Sequence, residues 1–334
     1  MLKKYKLLLF LAIFIIIVIA AAAFYMLFLK EKTETAIAAD TEINFGYIAA
    51  DQLHSPAVMV MKEKKLLEAA GFSVNWHEYL AGAYAMQDMV DGEIDFACCG
   101  IVPIMTTHAQ EEKLAVIAGA NQEGSSLAVN NSIVTVKGLD NALIATPGAG
   151  SIQDLLLTQI AVENNIRIRH MTMSVLDMPV FFQRGEIDGF IAWEPYPAGT
   201  IEQTGHMLIS SHEIMQGHQC CVLVTTEKFL QSDPETVQKL LEVYDNAYRW
   251  FMANQDESIT MIAKATGMPE VTIRNAIVTV NYPYPPYCNT GSMRPIAQTL
   301  IEIGRITAVK TEELDSFIES LYHPDMLGKV LGNL

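Results

Sequence analysis

Short apolar segments alternate with amphipathic segments along most of the chain. Over residues 43–120 this pattern predicts the strands Ile43–Ala49, Phe72–Leu80, Phe96–Cys99 and Leu114–Ala120. Between the strands it predicts the helices Pro56–Ala70, Gly82–Val90 and Val102–Gln110. Strands that alternate with helices in this way are typical of a mostly parallel sheet with helices on both faces.

The alternation restarts after a polar, turn-rich stretch at residues 121–138. Here the pattern predicts the strands Ala142–Ala145, His170–Ser174 and Phe190–Trp193 and the helices Ser151–Glu163 and Met178–Arg184. A further strand, Cys220–Thr225, precedes a mostly helical C-terminal part. We therefore predict an α/β protein with two lobes, the first formed by residues 42–125 and 222–334 and the second by residues 126–221. Two chain crossings would let such lobes rotate about a hinge.

One four-residue phrase, Gly-Glu-Ile-Asp, occurs in each predicted lobe, at residues 92–95 and 185–188. Each copy follows an amphipathic segment and leads into a short apolar one, so each glycine stands where a helix would end. The repeat supports two similar lobes. A cleft between such lobes is a natural place for a small molecule.

The N-terminal region contains an apolar run, Leu7–Leu29, that is long enough to span a bilayer. Lys3, Lys4 and Lys6 precede the run, which places the N-terminus in the cytoplasm and the remainder outside. We predict that residues 1–32 form a cytoplasmic tip and a membrane anchor, followed by a linker at residues 33–41. The alternative is a cleavable signal peptide. Either version exports the rest of the chain to the outer face of the cytoplasmic membrane.

The exported part is strongly acidic. The whole chain has a formal net charge of −16, and the first 32 residues carry five lysines and one glutamate, so the remainder has a charge of −16 − 4 = −20. Nothing supplies the basic surface that nucleic acid requires, and we therefore expect no nucleic-acid partner. An anionic ligand would need a local positive field inside its pocket.

The five cysteines do not form an extracellular disulfide pattern. They occur as two adjacent pairs and one single residue, at positions 98, 99, 220, 221 and 288, and adjacent cysteines rarely bridge each other without strain. Buried thiols are therefore favoured over a redox role.

A glycine-rich turn at residues 147–151 is the clearest candidate site. The turn links a predicted strand to a helix, and Gly150 and Ser151 would offer backbone N–H groups at the positive end of the helix dipole. It lacks the third glycine of a dinucleotide fingerprint and the lysine of a phosphate-binding P-loop. The alternative is an ordinary Ser N-cap on a glycine-rich turn.

The remaining candidates also follow predicted strand ends, where α/β folds bind ligands. A His there can donate a hydrogen bond or a charge, although a loop His is often only solvated; a Trp can form an apolar wall, although it can equally pack between lobes. These candidates are His54, Ser55, Gly82, Tyr84, Cys99, Gly100, Trp193 and Glu194.

A metal site is less favoured. The possible ligands are His206, His212, His218, Cys220 and Cys221. Their spacing matches no standard zinc pattern, so we predict no metal ligands. We also predict no catalytic residues, because neither a nucleophile elbow nor a His-Glu-x-x-His motif occurs.

The order of these features resembles the solute-binding proteins of nitrate/sulfonate/taurine/bicarbonate-type ABC importers. The resemblance covers residues 43–254 and extends more loosely to the C-terminus. It is carried by Gly46 and Tyr47, Pro56, both copies of the repeat, Pro147-Gly148-x-Gly150-Ser151, Trp193-Glu194-Pro195 and His218-x-Cys220-Cys221-Val222-Leu223-Val224.

The resemblance implies a two-lobed periplasmic-binding-protein fold of type II that captures a small solute and delivers it to a permease with a cytoplasmic ATPase. Its solute would be an organosulfonate or similar small oxyanion, then nitrate or bicarbonate, then a neutral pyrimidine-like compound. We expect a monomer without enzyme activity or cofactor. The residues expected to bind the solute are His54, Ser55, Gly82, Tyr84, Cys99, Gly100, Gly150, Ser151, Trp193, Glu194 and His218.

Other functions on the same fold stay open. Thiamine-pyrimidine synthase is a related enzyme with a cysteine-rich iron motif, of which Cys98-Cys99 is only a part. A metal-binding protein is a second alternative, and a sensor ectodomain that signals through a partner is a third.

Overall fold

A computed structural model describes residues 41–110 and 113–332. The first of its two large sheets contains five strands: β1 (Thr41–Ile48), β2 (Phe72–Tyr79), β3 (Phe96–Gly100), β4 (Leu114–Gly119) and β11 (Cys221–Thr226). Their order is β2-β1-β3-β11-β4, and β11 alone runs opposite to the other four. The predicted mostly parallel sheet is thus present.

The second large sheet repeats this arrangement. Its strands are β6 (Ser125–Val129), β7 (Leu143–Thr146), β8 (Arg169–Thr172), β9 (Gly189–Trp193) and β10 (His206–Ser210), in the order β10-β6-β9-β7-β8. Here β6 alone runs opposite to the others. In both sheets the reversed strand is the one that enters directly from the other lobe. These two strands begin at Ser125 and Cys221.

Helices cover the sheets and form most of the C-terminal part. In chain order they are α1 (Pro56–Glu63), α2 (Leu66–Ala69), α3 (Gly82–Asp91), α4 (Ile101–His108), α5 (Ile152–Asn164), α6 (Met178–Gln183), α7 (Tyr196–Ile201), α8 (Ser211–Ile214), α9 (Glu227–Ser232), α10 (Pro234–Ala253), α11 (Gln255–Thr266), α12 (Glu270–Ile277), α13 (Thr290–Glu302), α14 (Leu314–Leu321) and α15 (Asp325–Val330). Helix α10 packs against α1, and α13 packs against α4, so the C-terminal helices complete the first lobe. A two-residue strand, β5 (Gln122–Glu123), pairs with β12 (Val280–Asn281) at the first crossing.

The prediction of one continuous helix from Pro56 to Ala70 is wrong. Lys65 takes up a left-handed conformation with a φ of 53°, which separates α1 from α2. Such a conformation costs about 1–2 kcal/mol for a residue with a side chain. Leu67, just beyond the break, is fully buried, and this burial offsets the cost.

The repeated phrase begins where a helix ends. Gly92 follows α3 with a φ of 79°, and Gly185 follows α6 with a φ of 71°. Glycine is the residue best suited to this left-handed position. Ile94 and Ile187 of the two copies are only 2% and 3% exposed, so each copy also anchors its sheet in the core.

The aspartates of the two copies make equivalent contacts. Asp95 Oδ2 accepts a hydrogen bond of 2.8 Å from the Asn44 backbone N–H, and the Asp95 N–H donates to the Asn44 carbonyl at 2.9 Å. Asp188 makes the same pair of bonds with Leu143, also at 2.8 and 2.9 Å. Asp95 thereby connects β3 to β1, and Asp188 connects β9 to β7, its neighbour in the second sheet. The repeat is a structural device of the fold rather than a binding motif.

The predicted membrane segment Leu7–Leu29 lies outside the described residues. The predicted linker at residues 33–41 also lies outside them, except for Thr41. Within the described ranges, none of the helices combines the length and apolar character needed to cross a membrane.

Candidate functional site

A small cavity lies where the carboxyl ends of the strands of both lobes meet. Its volume is about 50 Å³. It is lined by Ile48, Asp51, His54, Ala81, Gly82, Gly100, Pro103, Ser151, Ile152, Gln153, Trp193, Cys220 and Cys221. Larger cavities of about 250 and 880 Å³ lie on the first lobe, away from the strand ends of the second.

Three helices begin at this cavity. Helices α3 and α4 start after Ala81 and Gly100, and neither start has a side-chain cap. Helix α5 starts after Ser151, whose Oγ accepts a hydrogen bond of 3.1 Å from the Asp154 N–H. The first N–H groups of a helix lack intrahelical partners and lie at the positive end of its dipole. The helix starts therefore contribute a positive field to the cavity without Lys or Arg, neither of which lines it.

Four buried polar side chains cluster on one side of the cavity. His54 Nδ1 lies 3.5 Å from Asp51 Oδ1 and 3.5 Å from Cys220 Sγ. Cys221 Sγ lies 3.8 Å from Asp51 Oδ2. On its other side the ring of His54 forms a hydrogen bond of 2.9 Å from Nε2 to the Gly124 carbonyl. The cluster ties the loop after β1 to the first residues of β11 and to the first crossing.

Burial and mutual charge shift the pKa values in this cluster. Burial raises the pKa of Asp51 to about 6, although the nearby imidazolium acts against it. Burial alone would lower the pKa of His54, but the charges of Asp51 and Cys220 outweigh it and raise that pKa to about 9. A hydrogen bond from Cys221 and the charge of His54 hold the pKa of Cys220 well below its usual range. The positive charge of His54 is thus largely balanced inside the cluster.

Trp193 forms a wall of the cavity and also connects the lobes. Its indole Nε1 donates a hydrogen bond of 3.0 Å to the Ala50 carbonyl, which belongs to the loop after β1. The side chain stands at the end of β9, so this single bond joins a strand end of one lobe to a loop of the other.

Trp193→Phe should lower the free energy of unfolding by about 1 kcal/mol. The phenyl ring keeps most of the apolar contact but removes the donor, and the Ala50 carbonyl loses its partner. Urea unfolding curves of the two proteins measure the difference. An unchanged midpoint would mean that the bond between the lobes does not contribute in solution.

Comparison with known proteins identifies the chain. Residues 37–266 match the NMT1-like family. The chain belongs to this family.

Three relatives place this NMT1-like protein more closely. A taurine-binding periplasmic protein of Escherichia coli K12 is 24% identical over 277 residues, which are 77% of this chain and 86% of that protein. The alkanesulfonate-binding protein of Xanthomonas axonopodis pv. citri, solved with MOPS bound, has a TM-score of 0.71 at 17% identity and covers 83% of this chain and 99% of its own. The periplasmic nitrate-binding protein of Synechocystis PCC 6803 has a TM-score of 0.76 at 14% identity, with 89% of each chain covered.

These relatives confirm the predicted family and the two-lobed periplasmic-binding-protein fold. The relatives are named as binding proteins, and the taurine-binding one as periplasmic, which confirms the prediction of an extracytoplasmic solute-binding protein. A small-molecule ligand and a permease with its ATPase are the partners that this function requires.

The structure brings five of the eleven candidate residues of this NMT1-like protein to the cavity: His54, Gly82, Gly100, Ser151 and Trp193. The other six do not line it. Gly150 precedes Ser151, Cys99 is buried behind Gly100, and Ser55 Oγ donates to the Asp51 carbonyl at 2.7 Å.

Three further candidates also lie outside the cavity lining: Tyr84, Glu194 and His218. Tyr84 is 64% exposed and lies outside the cavity, because it falls on the solvent face of the first turn of α3. Glu194 is fully buried, and its Oε2 accepts a hydrogen bond of 3.0 Å from the Ala198 N–H at the start of α7. His218 is also buried, with Nδ1 2.7 Å from the Met215 carbonyl.

The disfavoured grouping of His206, His212 and His218 with the cysteines is not found among the described residues. His212 instead pairs with Glu123 at 2.8 Å. The residues that sequence reasoning missed at the cavity are Asp51 and Gln153. A signal for Asp51 was its position one turn before His54 in the same loop, directly after a strand end.

Proposed function

We propose that this NMT1-like protein binds a small organosulfonate between its two lobes for delivery to an ABC importer. The convergence of three helix N-termini on one cavity carries the proposal. A sulfonate has three oxygens that accept hydrogen bonds, and helix N-termini favour such anions. The taurine-binding and alkanesulfonate-binding relatives support the same solute class.

In this arrangement the main chain, rather than a charged side chain, holds the sulfonate. The N–H groups that follow Gly82, Gly100 and Ser151 would donate to the three oxygens. His54 contributes little net charge, because Asp51 and Cys220 face the same ring. Trp193 would contact the organic part of the solute. Nitrate and bicarbonate are smaller oxyanions that fit the same donors, but they have no organic part to contact the face of the indole ring.

The setting of this site is also part of the proposal. Residues 1–32 would anchor the protein to the outer face of the cytoplasmic membrane, close to its permease. The protein would act as a monomer, with lobe boundaries near residues 125 and 221. Closure of the lobes over the solute would present the permease with a recognisable shape.

Ser151→Asp should weaken taurine binding at least about tenfold. Aspartate is as good an N-cap as serine, so α5 should still form. Its carboxylate would face the sulfonate, and two like charges a few ångströms apart repel each other by more than the 1.4 kcal/mol that a tenfold change requires. Isothermal titration with taurine, ethanesulfonate, nitrate and bicarbonate at matched ionic strength measures the affinities.

Thr226→Asp is the matched control. Thr226 also caps a helix, α9, by accepting a hydrogen bond from the Phe229 N–H at 3.0 Å, but it does not line the cavity. This variant should bind taurine as the wild type does. Equal affinity of Ser151→Asp and the wild type would remove this turn from the site, and a panel without any binding would exclude the sulfonate class.

A further inference from the structure

One side of the cavity has a chemistry that sulfonate binding does not require. His54, Cys220 and Cys221 are all buried, and one ligand atom from each lies within 4.8 Å of the others. His54 follows β1 and the cysteines lie at the start of β11, so the fold assembles the group across 166 residues. The group combines imidazole nitrogen with two sulfur atoms.

The distances fit a tetrahedral metal ion. A zinc ion with Zn–N and Zn–S bonds of about 2.1 and 2.3 Å holds its nitrogen and sulfur ligands about 3.6 Å apart. His54 Nδ1 and Cys220 Sγ are 3.5 Å apart. Asp51 borders the same space, with Oδ1 3.5 Å from His54 Nδ1 and Oδ2 3.8 Å from Cys221 Sγ. Asp51 therefore lies beside the three ligand atoms without being a member of the group.

The hydrogen bond on the far side of His54 orients its ring for this role. A carbonyl oxygen can only accept, so His54 Nε2 must carry the hydrogen in its bond to Gly124. In the neutral ring the lone pair is then on Nδ1, which faces Cys220 and Asp51. Histidines that bind metals commonly donate their other ring N–H to a carbonyl or carboxylate in the same way.

We propose that His54, Cys220 and Cys221 bind a zinc ion as three protein ligands, which leaves a fourth position of the tetrahedron open. Sulfur and imidazole ligands favour zinc over magnesium or calcium, which prefer oxygen. On binding, His54 Nδ1 and any thiol that is still protonated release their protons to solvent, and the imidazole nitrogen and the two thiolates coordinate the ion. This inference does not depend on the solute, because the metal ligands and the N–H groups at the helix starts are different parts of the cavity wall.

Cobalt titration of the full chain tests the proposal. The protein is purified under reducing conditions, freed of metal with a chelator, and titrated with Co²⁺ in the absence of solute. Cobalt bound by thiolates in a tetrahedral site has intense thiolate-to-metal and visible absorption bands. We expect one equivalent of Co²⁺ to produce these bands and one equivalent of Zn²⁺ to abolish them.

Variants of single cysteines locate the ion. Cys220→Ser and Cys221→Ser should each weaken cobalt binding at least about tenfold and reduce the thiolate band. Cys288→Ser, which removes a buried free thiol outside the group, should leave both unchanged. Circular dichroism of each variant checks its folding.

The wild-type spectrum alone can overturn the proposal, whether or not the variants fold. Absence of thiolate bands, or bands that persist in both Cys220→Ser and Cys221→Ser, would exclude this site. Taurine titration of the metal-free and the zinc-loaded protein tests the sulfonate proposal separately from the metal proposal. Taurine binding without cobalt bands would refute the metal site alone, and cobalt bands without taurine binding would refute the sulfonate alone.

Discussion

Gly124→Ala should destabilise the protein by about 3 kcal/mol or more. Gly124 lies in the first crossing between the lobes with a φ of 89°, a conformation that costs about 1–2 kcal/mol for alanine. A Cβ atom there would stand 2.5 Å from His54 Nε2 and 2.8 Å from Val280 Cγ2. Neither neighbour can move freely, because both are buried. Overpacking of this kind typically costs a further 1–3 kcal/mol or so.

Urea unfolding measures this loss, and Gly92→Ala provides its control. Gly92 has a similar φ of 79°, but nothing lies within 4 Å of the position of its Cβ. Gly92→Ala should therefore show only the conformational cost of about 1–2 kcal/mol. Equal losses for the two variants would contradict the steric argument and would mean that the crossing tolerates an added methyl group.

Most of the fold could be predicted because its signals are local. The strands and helices of both lobes follow from the alternation of apolar and amphipathic segments, which neighbouring residues determine. The break at Lys65 escaped prediction since no glycine or proline marks it. What decides the break is the burial of Leu67, a tertiary contact that the sequence pattern does not contain.

The repeated phrase illustrates a second limit of sequence reasoning. Its recurrence correctly indicated two similar lobes, yet the pattern does not tell a binding motif from a structural one. Asp95 and Asp188 use both the carboxylate and the backbone N–H to bond Asn44 of β1 and Leu143 of β7, respectively. A polar residue just before a strand lies at the edge of the sheet opposite the carboxyl ends, where the ligand site is. That position distinguishes a structural aspartate from a ligand-binding one.

The candidate site was predictable only in part. Residues such as Gly82, Gly100 and Ser151 follow strand ends, and the rule that ligands bind there is enough to find them. The contact of His54 with Cys220 joins positions that the chain separates by 166 residues. The sequence pattern does not contain the register between β11 and the other strands, so the only histidines it offered as partners of the cysteines were the disfavoured ones nearby in sequence.

Raising the pH from 4.5 to 7 should destabilise the protein through Glu194. Burial raises the pKa of this carboxyl from 4.5 to about 7, and the Ala198 N–H only partly opposes the shift. In this window the folded state holds a proton that the unfolded state has released. The free energy of unfolding therefore falls as the pH rises, and the loss, about 3 kcal/mol, is complete above pH 7.

Glu194→Gln should remove this pH dependence and stabilise the protein by up to about 3 kcal/mol at pH 8. The neutral amide still accepts from the Ala198 N–H, and its NH₂ group can donate to Ser126 Oγ, a buried hydroxyl next to Glu194. Urea unfolding at a series of pH values measures the effect. Glu186→Gln, on the exposed turn before β9, should follow the wild-type curve. A Glu194→Gln curve parallel to the wild type would mean that Glu194 remains ionised in the folded protein.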